Sequence, residues 1–172
     1  MVSALDNQSS LYHSSGQSYA TKYQWVTFLD LLSLARLEAG TADLQYNQVG
    51  LQVLLRNVVE KFERQAANAR VNLHLTIDEL PPTVGDGDRL AQVFTNLIDN
   101  ALKFTPAGGQ VTVTLERAGN DALVSIADTG PGIAAEDQDR IFERFFQVDK
   151  SRRGGERRGV GLGLPIACQI VQ

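Results

Sequence analysis

Residues Asp86 to Pro106, DGDRLAQVFTNLIDNALKFTP, decide the fold, because their pattern predicts a helix with two different faces. Asn96, Asn100 and Lys103 follow one another at i, i+4 and i+7 and therefore share one line along this helix. Asp86 is a favourable N-cap, and the helix is expected to end near Pro106. Apolar side chains recur at three- and four-residue steps and form a stripe on the other side: Leu90, Val93, Phe94, Leu97, Ile98 and Ala101.

The polar line of this helix has an unusual composition for a surface that only faces water. Asn is a poor helix former, because its side chain competes for backbone hydrogen bonds, yet Asn96 and Asn100 stand one turn apart in mid-helix. An amide oxygen is a hard neutral ligand suited to Mg²⁺, and the ammonium of Lys103 supplies a point charge for phosphate. For this helix taken alone, a solvated polar face is the alternative interpretation.

Composition excludes several classes of protein. The chain has 172 residues, is 43% hydrophobic and carries a formal net charge of −4, which disfavours a general nucleic-acid binder. The single cysteine, Cys168, rules out a disulfide within the chain, and no Cys/His cluster has the spacing of a zinc site. No run of about eighteen apolar residues is present, so the sequence predicts no membrane segment.

Periodicity places further helices and strands around the central helix. A second amphipathic helix is predicted over Leu51 to Ala69, and a final helix from Pro165 onward. His74 falls on the polar side of a predicted half-buried strand and is expected to point outward. A short helix is expected to carry Ile141, Phe142, Phe145 and Phe146, whose spacing favours core residues over a ligand site. The predicted strands are Leu44 to Val49, Val71 to Ile77, Gln110 to Arg117 and Ala122 to Ala127, the last two as a hairpin.

The region before these elements has a different character. Residues 1–20 are rich in Ser, Gln, Asn and Tyr without a clear period, which is typical of a loose leader. Thr21 to Ala39 predicts a helix that is apolar over more than half of its circumference. Such a helix requires a partner helix, and self-association is the simplest way to cover it.

Two glycine-containing motifs complete the candidate chemistry. Asp128 ends an apolar strand and is followed by Gly130 and Gly132, so its carboxylate could accept a hydrogen bond from an amino group such as that of adenine. Alternating glycines from Gly159 to Gly163 open a helix and could present backbone N–H groups to an anion. The alternatives are an ordinary strand-end turn and an ordinary glycine loop. The basic residues 150–158 fit either a solvated loop or a lid whose arginines meet phosphates.

In this order the segments resemble the catalytic, ATP-binding domain of bacterial two-component sensor histidine kinases, of the GHKL type. They are similar to that family's N box (Asn96 to Phe104), G1 box (Asp128 to Gly132), F box (Phe142 to Phe146) and G2 box (Gly159 to Leu164). The resemblance implies an α+β, two-layer sandwich in which a mixed sheet packs on helices, preceded by the end of a dimerisation helix. It also implies ATP and Mg²⁺ as cofactors.

The resemblance further implies roles for individual residues. Asn100 would be the principal Mg²⁺ ligand, Lys103 would reach the phosphates, and Asp128 would bind the adenine amino group. Asn96 stands where ATPase relatives of the fold carry a Glu that activates water, and a neutral amide cannot act as a general base. Asn96 and Lys103 are thus the expected catalytic pair. The implied nucleotide-binding set is Asn96, Asn100, Lys103, Phe104, Asp128, Gly130, Gly132, Arg144, Gly159, Gly161, Leu162, Gly163 and Leu164.

The expected function is transfer of the γ-phosphoryl group of ATP to a histidine absent from this chain, because neither His13 nor His74 lies in a phosphoacceptor motif. The expected domains are a leader (1–20), the remnant of a dimerisation helix (21–42) and a cytoplasmic ATP-binding domain (43–172) truncated before its closing strands. Expected partners are a phosphoacceptor domain, a response regulator and a second copy in a homodimer. The alternatives are an anti-sigma-type serine kinase and an interaction module without phosphotransfer.

Overall fold

The computed structural model describes residues 30–35, 39, 44–148 and 160–171. The predicted loose leader, most of the predicted dimerisation helix and the basic segment 150–158 lie outside these residues. Residues 30–35 are helical and are called α1. The remaining elements, in chain order, are β1 (Asn47–Val49), α2 (Leu51–Ala69), β2 (Asn72–Ile77), β3 (Thr83–Gly85), α3 (Gly87–Phe104), β4 (Gln110–Ala118), β5 (Asp121–Asp128), α4 (Ala135–Gln138) and α5 (Gly163–Val171).

The main sheet has the order β2-β4-β5 and is mixed, because β2 pairs parallel to β4 whereas β5 pairs antiparallel to it. A separate two-stranded antiparallel sheet joins β1 to β3. Val111, Val113 and Leu115 alternate along β4 and are fully buried beneath the helices. His74 is exposed on β2, as the alternation of that strand predicts. The expected two-layer arrangement of a mixed sheet on helices is confirmed.

Helices α2 and α3 supply the other half of the core. Their buried side chains repeat at helical spacing and pack together with the inner face of the sheet. Helix α2 ends at Arg70, which adopts a left-handed conformation with φ of 55° and donates its backbone N–H to the carbonyls of Ala66 and Ala67. The predicted bounds of α2 are confirmed, and Asp86 is the N-cap of α3, as predicted.

The prediction of a short helix over the F-box phenylalanines is wrong. Residues 141–145 form turns and a bend, Phe146 has no regular secondary structure, and the short helix is α4, which ends before them. Phe145 has a φ of 61°, which a right-handed helix does not accept. Phe142 and Phe145 are 50% and 54% exposed, so neither is the core residue that the spacing favoured. Strand β3 was not predicted, because its three residues directly follow Pro81-Pro82.

A second, smaller hydrophobic cluster connects α1 to the end of the chain. Leu34 on α1 is buried with Leu162, which directly precedes α5, and with Ile166, in the first turn of α5. Ser33, the neighbour of Leu34, accepts a hydrogen bond of 3.2 Å from the Arg89 guanidinium of α3. Helix α1 therefore contacts both helices that carry predicted site residues. No helix among the described residues is long and apolar enough to cross a membrane.

We expect the Asp86 carboxylate to stabilise the start of α3. One oxygen accepts the backbone N–H groups of Asp88 and Arg89, and the other accepts that of Gln45. The hydrogen bond from Gln45, followed by that from Arg89, holds the pKa of Asp86 below its usual value of 3.8. Asp86→Ala should lower the free energy of unfolding by about 1 kcal/mol at pH 7, as measured by urea denaturation.

The difference in the free energy of unfolding between the wild type and Asp86→Ala should shrink as the pH falls. A carboxyl group whose pKa is lowered by folding stabilises the folded state above its unfolded pKa. The difference from Asp86→Ala should therefore be complete at neutral pH and disappear as the pH falls below 3.8 through the folded pKa. A difference that stays constant with pH would contradict this role of the charge.

Candidate functional site

The polar line predicted on α3 exists as a continuous surface. Asn96, Asn100 and Lys103 are all half-buried, on the side of the helix opposite its buried stripe. The stripe is held in the core by α2 and the sheet, so the helix cannot rotate without exposing it. The position of the polar line is therefore determined by the packing of the apolar one.

The start of α5 meets this surface at Asn96. The Asn96 side-chain amide donates a hydrogen bond of 3.2 Å to the backbone carbonyl of Gly163, the first residue of α5. A side-chain Cβ placed at Gly163 would lie 3.7 Å from the Asn96 side chain. The glycine loop and the N-box helix are thus in direct contact, although they are distant in the sequence.

The turn after β5 packs against the other end of α3. The backbone N–H of Gly130 donates a hydrogen bond of 2.8 Å to Oδ1 of Asp128, which fixes the orientation of that exposed carboxylate. A Cβ at Gly130 would lie 2.9 Å from the carbonyl oxygen of Phe104, so glycine is required for this close approach. Thr129 exchanges two hydrogen bonds with Gln110, one through its backbone N–H and one through its hydroxyl. The turn is therefore held on two sides.

The F-box segment and the glycine loop are joined through their backbones. The N–H of Phe145 donates a hydrogen bond of 3.0 Å to the carbonyl of Gly161, and both residues have positive φ, 61° and 79°. A Cβ at Gly161 would lie 2.8 Å from the carbonyl oxygen of Phe146. The Arg140 guanidinium lies 4.3 Å from the ring centroid of Phe146, within cation–π range.

The other predicted site residues have varied surroundings. Phe104 is exposed at the end of α3, and Arg144 is exposed beside Phe145. Gly132 has a φ of 68°, which favours glycine. The side chain of Leu162 is buried in the cluster with Leu34, whereas Leu164 is half-buried. Gly159 lies outside the described residues.

One contact at this site was missed from the sequence. Lys103 forms an ion pair with Asp99, one turn earlier on α3. The other carboxylate oxygen of Asp99 accepts a hydrogen bond of 3.1 Å from Nε2 of Gln65, on α2. The spacing of Asp99 and Lys103 could have indicated the pair, because oppositely charged residues at i and i+4 are neighbours on a helix. The contribution of Gln65 has no comparable local signal.

The arrangement suits a Mg²⁺–polyphosphate ligand better than a metal held by protein alone. The part of the chain that the structure describes has no group of three His, Cys, Asp or Glu side chains able to hold a metal ion. Among the same residues, the Asn100 amide has no hydrogen-bond partner that would occupy its oxygen. Mg²⁺ is commonly bound through few protein oxygens together with substrate phosphates and water. One neutral amide oxygen beside a lysine and a glycine loop fits that mode.

Comparisons with known proteins find similarity along most of the chain. A family model described as histidine kinase-, DNA gyrase B- and HSP90-like ATPase matches residues 85–172. The adaptive-response sensory kinase SasA of Rippkaea orientalis is 35% identical over 164 residues, which cover 94% of this chain and 41% of that protein. The sensor protein kinase PmrB of Pseudomonas aeruginosa is 37% identical over 142 residues, which cover 83% of this chain and 29% of that protein.

A solved structure is also similar to this chain over most of its length. Full-length ShkA in complex with AMPPNP superposes with a TM-score of 0.79 at 30% identity, over 96% of this chain and 34% of that one. The chain therefore spans well under half the length of these three relatives.

We expect Gly161→Ala to disrupt the junction of the F-box segment and the glycine loop. Gly119→Ala is the matched control, because Gly119 has a φ of 67° but no heavy atom within 4 Å of its Cβ position. Both variants should lose about 1–2 kcal/mol of stability from the left-handed conformation. Gly161→Ala should lose about 1–3 kcal/mol more, because its methyl group meets the Phe146 carbonyl.

The comparison is made by urea denaturation of both variants, with amide hydrogen exchange at Phe145 as a local measurement. Exchange at Phe145 should accelerate only in Gly161→Ala, since only that substitution displaces the acceptor of its hydrogen bond. Equal losses of stability and unchanged exchange would show that this junction is not tightly packed.

Proposed function

The chain belongs to the histidine kinase-, DNA gyrase B- and HSP90-like ATPase family, and on this basis we propose that it is the catalytic domain of a two-component sensor histidine kinase. It binds ATP and Mg²⁺ and donates the γ-phosphoryl group to a histidine on a phosphoacceptor domain. The observation that carries the proposal is the meeting of three segments around α3: the glycine loop at Asn96, the polar line itself and the Asp128 turn at Phe104.

The Asp128 turn is the proposed adenine end of the site. The backbone N–H of Gly130 donates a hydrogen bond to Oδ1 of the Asp128 carboxylate. The carboxylate can still accept a second hydrogen bond, from the adenine amino group. Gly132 allows a flat ring to approach the backbone closely. Phe104, exposed beside this turn, offers an aromatic surface next to the base.

The proposed phosphate region is the polar line itself, from Lys103 to the glycine loop at Asn96. Asn100 would donate its amide oxygen to Mg²⁺, which when bound neutralises phosphate charge and orients the γ-phosphoryl group. Lys103 would supply a positive charge, and the backbone from Val160 to Leu164 would supply N–H groups ahead of α5, with Arg144 as a further candidate. Leu162 contributes through its backbone in this proposal, because its side chain is buried.

Asn96 favours transfer to a protein over hydrolysis. Its amide has no basic group that could take a proton from water, and it donates a hydrogen bond to Gly163. The acceptor histidine would come from a dimerisation domain. His74 is a poor candidate, because it lies on the face of the sheet away from α3. We propose a homodimer and a response regulator as partners, since the relatives are named sensor kinases.

The proposed domain division assigns 21–42 to the end of the dimerisation helix and 43–172 to the ATP-binding unit, in the cytoplasm. Helical residues 30–35 support the first assignment. Leu34 packs on α5 and Ser33 bonds to Arg89, so this helix contacts the proposed site from outside. Such contacts offer a physical connection between the preceding helix and the glycine loop.

Titration of a fluorescent ATP analogue, with and without Mg²⁺, tests the two ends separately. Asp128→Asn should weaken binding in both conditions by about 10- to 100-fold, because a hydrogen bond to a charged group is lost. Asn100→Ala should instead remove the gain that Mg²⁺ confers and leave Mg²⁺-free binding intact. Asp121→Asn, at the far end of β5, and Asn68→Ala, exposed on α2, are the matched controls.

Loss of binding in the control variants would contradict a local site. Cooperative unfolding of wild-type protein that nevertheless fails to bind ATP would refute the proposed function and favour an interaction module. Equal binding by wild type and Asp128→Asn would refute the adenine assignment alone.

A further inference from the structure

The carboxylate of Asp99 lies between two helices and has a partner on each oxygen. Oδ1 accepts a hydrogen bond of 3.1 Å from Nε2 of Gln65 on α2, and Oδ2 pairs with the ammonium of Lys103 on α3. The side chains of Lys103 and Asp99 are 34% and 32% exposed, so water screens the pair only in part. Asp99 is absent from the implied nucleotide-binding set.

The bond from Gln65 distinguishes this pair from an ordinary helical ion pair. A simple i, i+4 pair joins two mobile side chains and contributes little. Here Gln65, which lies on a second helix and 34 positions earlier in the sequence, donates a hydrogen bond to the carboxylate and reduces its freedom. The Lys103 ammonium is therefore attracted to a carboxylate on the side of α3 that faces α2.

The Asp99 carboxylate competes with a phosphate for the Lys103 ammonium. Lys103 shares the polar line with Asn96 and Asn100, where the proposed nucleotide places its phosphates. A polyphosphate near this line attracts the ammonium and is repelled by the Asp99 carboxylate. The phosphates must weaken the ion pair between Lys103 and Asp99 before the Lys103 ammonium can bind them fully.

We infer that Asp99, held by Gln65, is a positioning residue that retains Lys103 on the α2 side of the site and thereby limits the affinity for polyphosphate. The inference rests on the proposed function, because it requires phosphates beside Lys103. It predicts that ATP binding is stronger without the carboxylate. This gain in ATP affinity requires both the phosphates of the ligand and the Lys103 ammonium.

Asp99→Asn tests the inference with minimal change of shape. The new amide oxygen still accepts the bond from Gln65, but the charge that attracts Lys103 is gone. ATP affinity should rise about 1.4- to 2.3-fold at low ionic strength and less at high salt. Affinity for adenosine, which has no phosphate, should not change. Asp121→Asn makes the same change of net charge at the far end of β5 and should leave both affinities unchanged.

A double-mutant cycle with Lys103→Gln separates positioning from simple repulsion. In the Lys103→Gln background, Asp99→Asn should no longer raise ATP affinity, because the cation through which it acts is absent. A merely structural role for Asp99 would lower the affinity for ATP and adenosine alike. A gain that persists without Lys103 would overturn the positioning role and indicate direct repulsion of phosphate.

The outcomes also distinguish this inference from the function on which it rests. If the wild type binds Mg²⁺–ATP and Asp99→Asn binds it equally or more weakly, the inference is wrong and the proposed function stands. If the wild type binds no ATP, the proposed function is wrong and the inference fails with it.

Discussion

Helix α3 must bury one face against α2 and the sheet, and this constraint determines where its other face points. Val93, Phe94, Ile98 and Ala101 are buried in the main core. Rotation of the helix by one residue, about 100°, would expose this stripe and bury two amides and a lysine. The positions of Asn96, Asn100 and Lys103 therefore follow from hydrophobic packing, and every other part of the site is located relative to them.

Short-range contacts hold the loops around α3. The Asn96 amide bonds to Gly163, the Phe145 N–H bonds to Gly161, and Gly130 packs on the carbonyl of Phe104. Each contact depends on a glycine or a backbone group, so side-chain substitution elsewhere has limited means to replace it. A site whose loops already contact α3 requires less ordering when a ligand binds than a site whose loops lack such contacts.

Sequence reasoning recovered the features that depend on local periodicity. The two faces of α3, the bounds of α2 and the buried alternation of β4 follow from repeats of 3.6 and 2 residues. It failed where a distant contact decides the conformation. Phe145 is left-handed at a point where its N–H bonds to Gly161, and β3 exists because it pairs with β1.

The same limit explains the missed part of the site. The pairing of Asp99 with Lys103 is readable from spacing, but the bond from Gln65 requires α2 and α3 to be packed first. The order of the N, G1, F and G2 segments was nevertheless enough to indicate the family. That order reflects which segments the fold brings to one surface of α3, even where their local secondary structure was predicted wrongly.

Phosphoryl transfer is the most direct test of the account. The chain is incubated with γ-labelled ATP, Mg²⁺ and a dimerisation domain that carries an acceptor histidine, and the labelled residue is identified by its acid and base stability. The account predicts acid-labile, base-stable phosphate on that histidine, absent with Asn100→Ala. Normal ATP binding without phosphohistidine, or acid-stable phosphate on a serine of a partner protein, would contradict it.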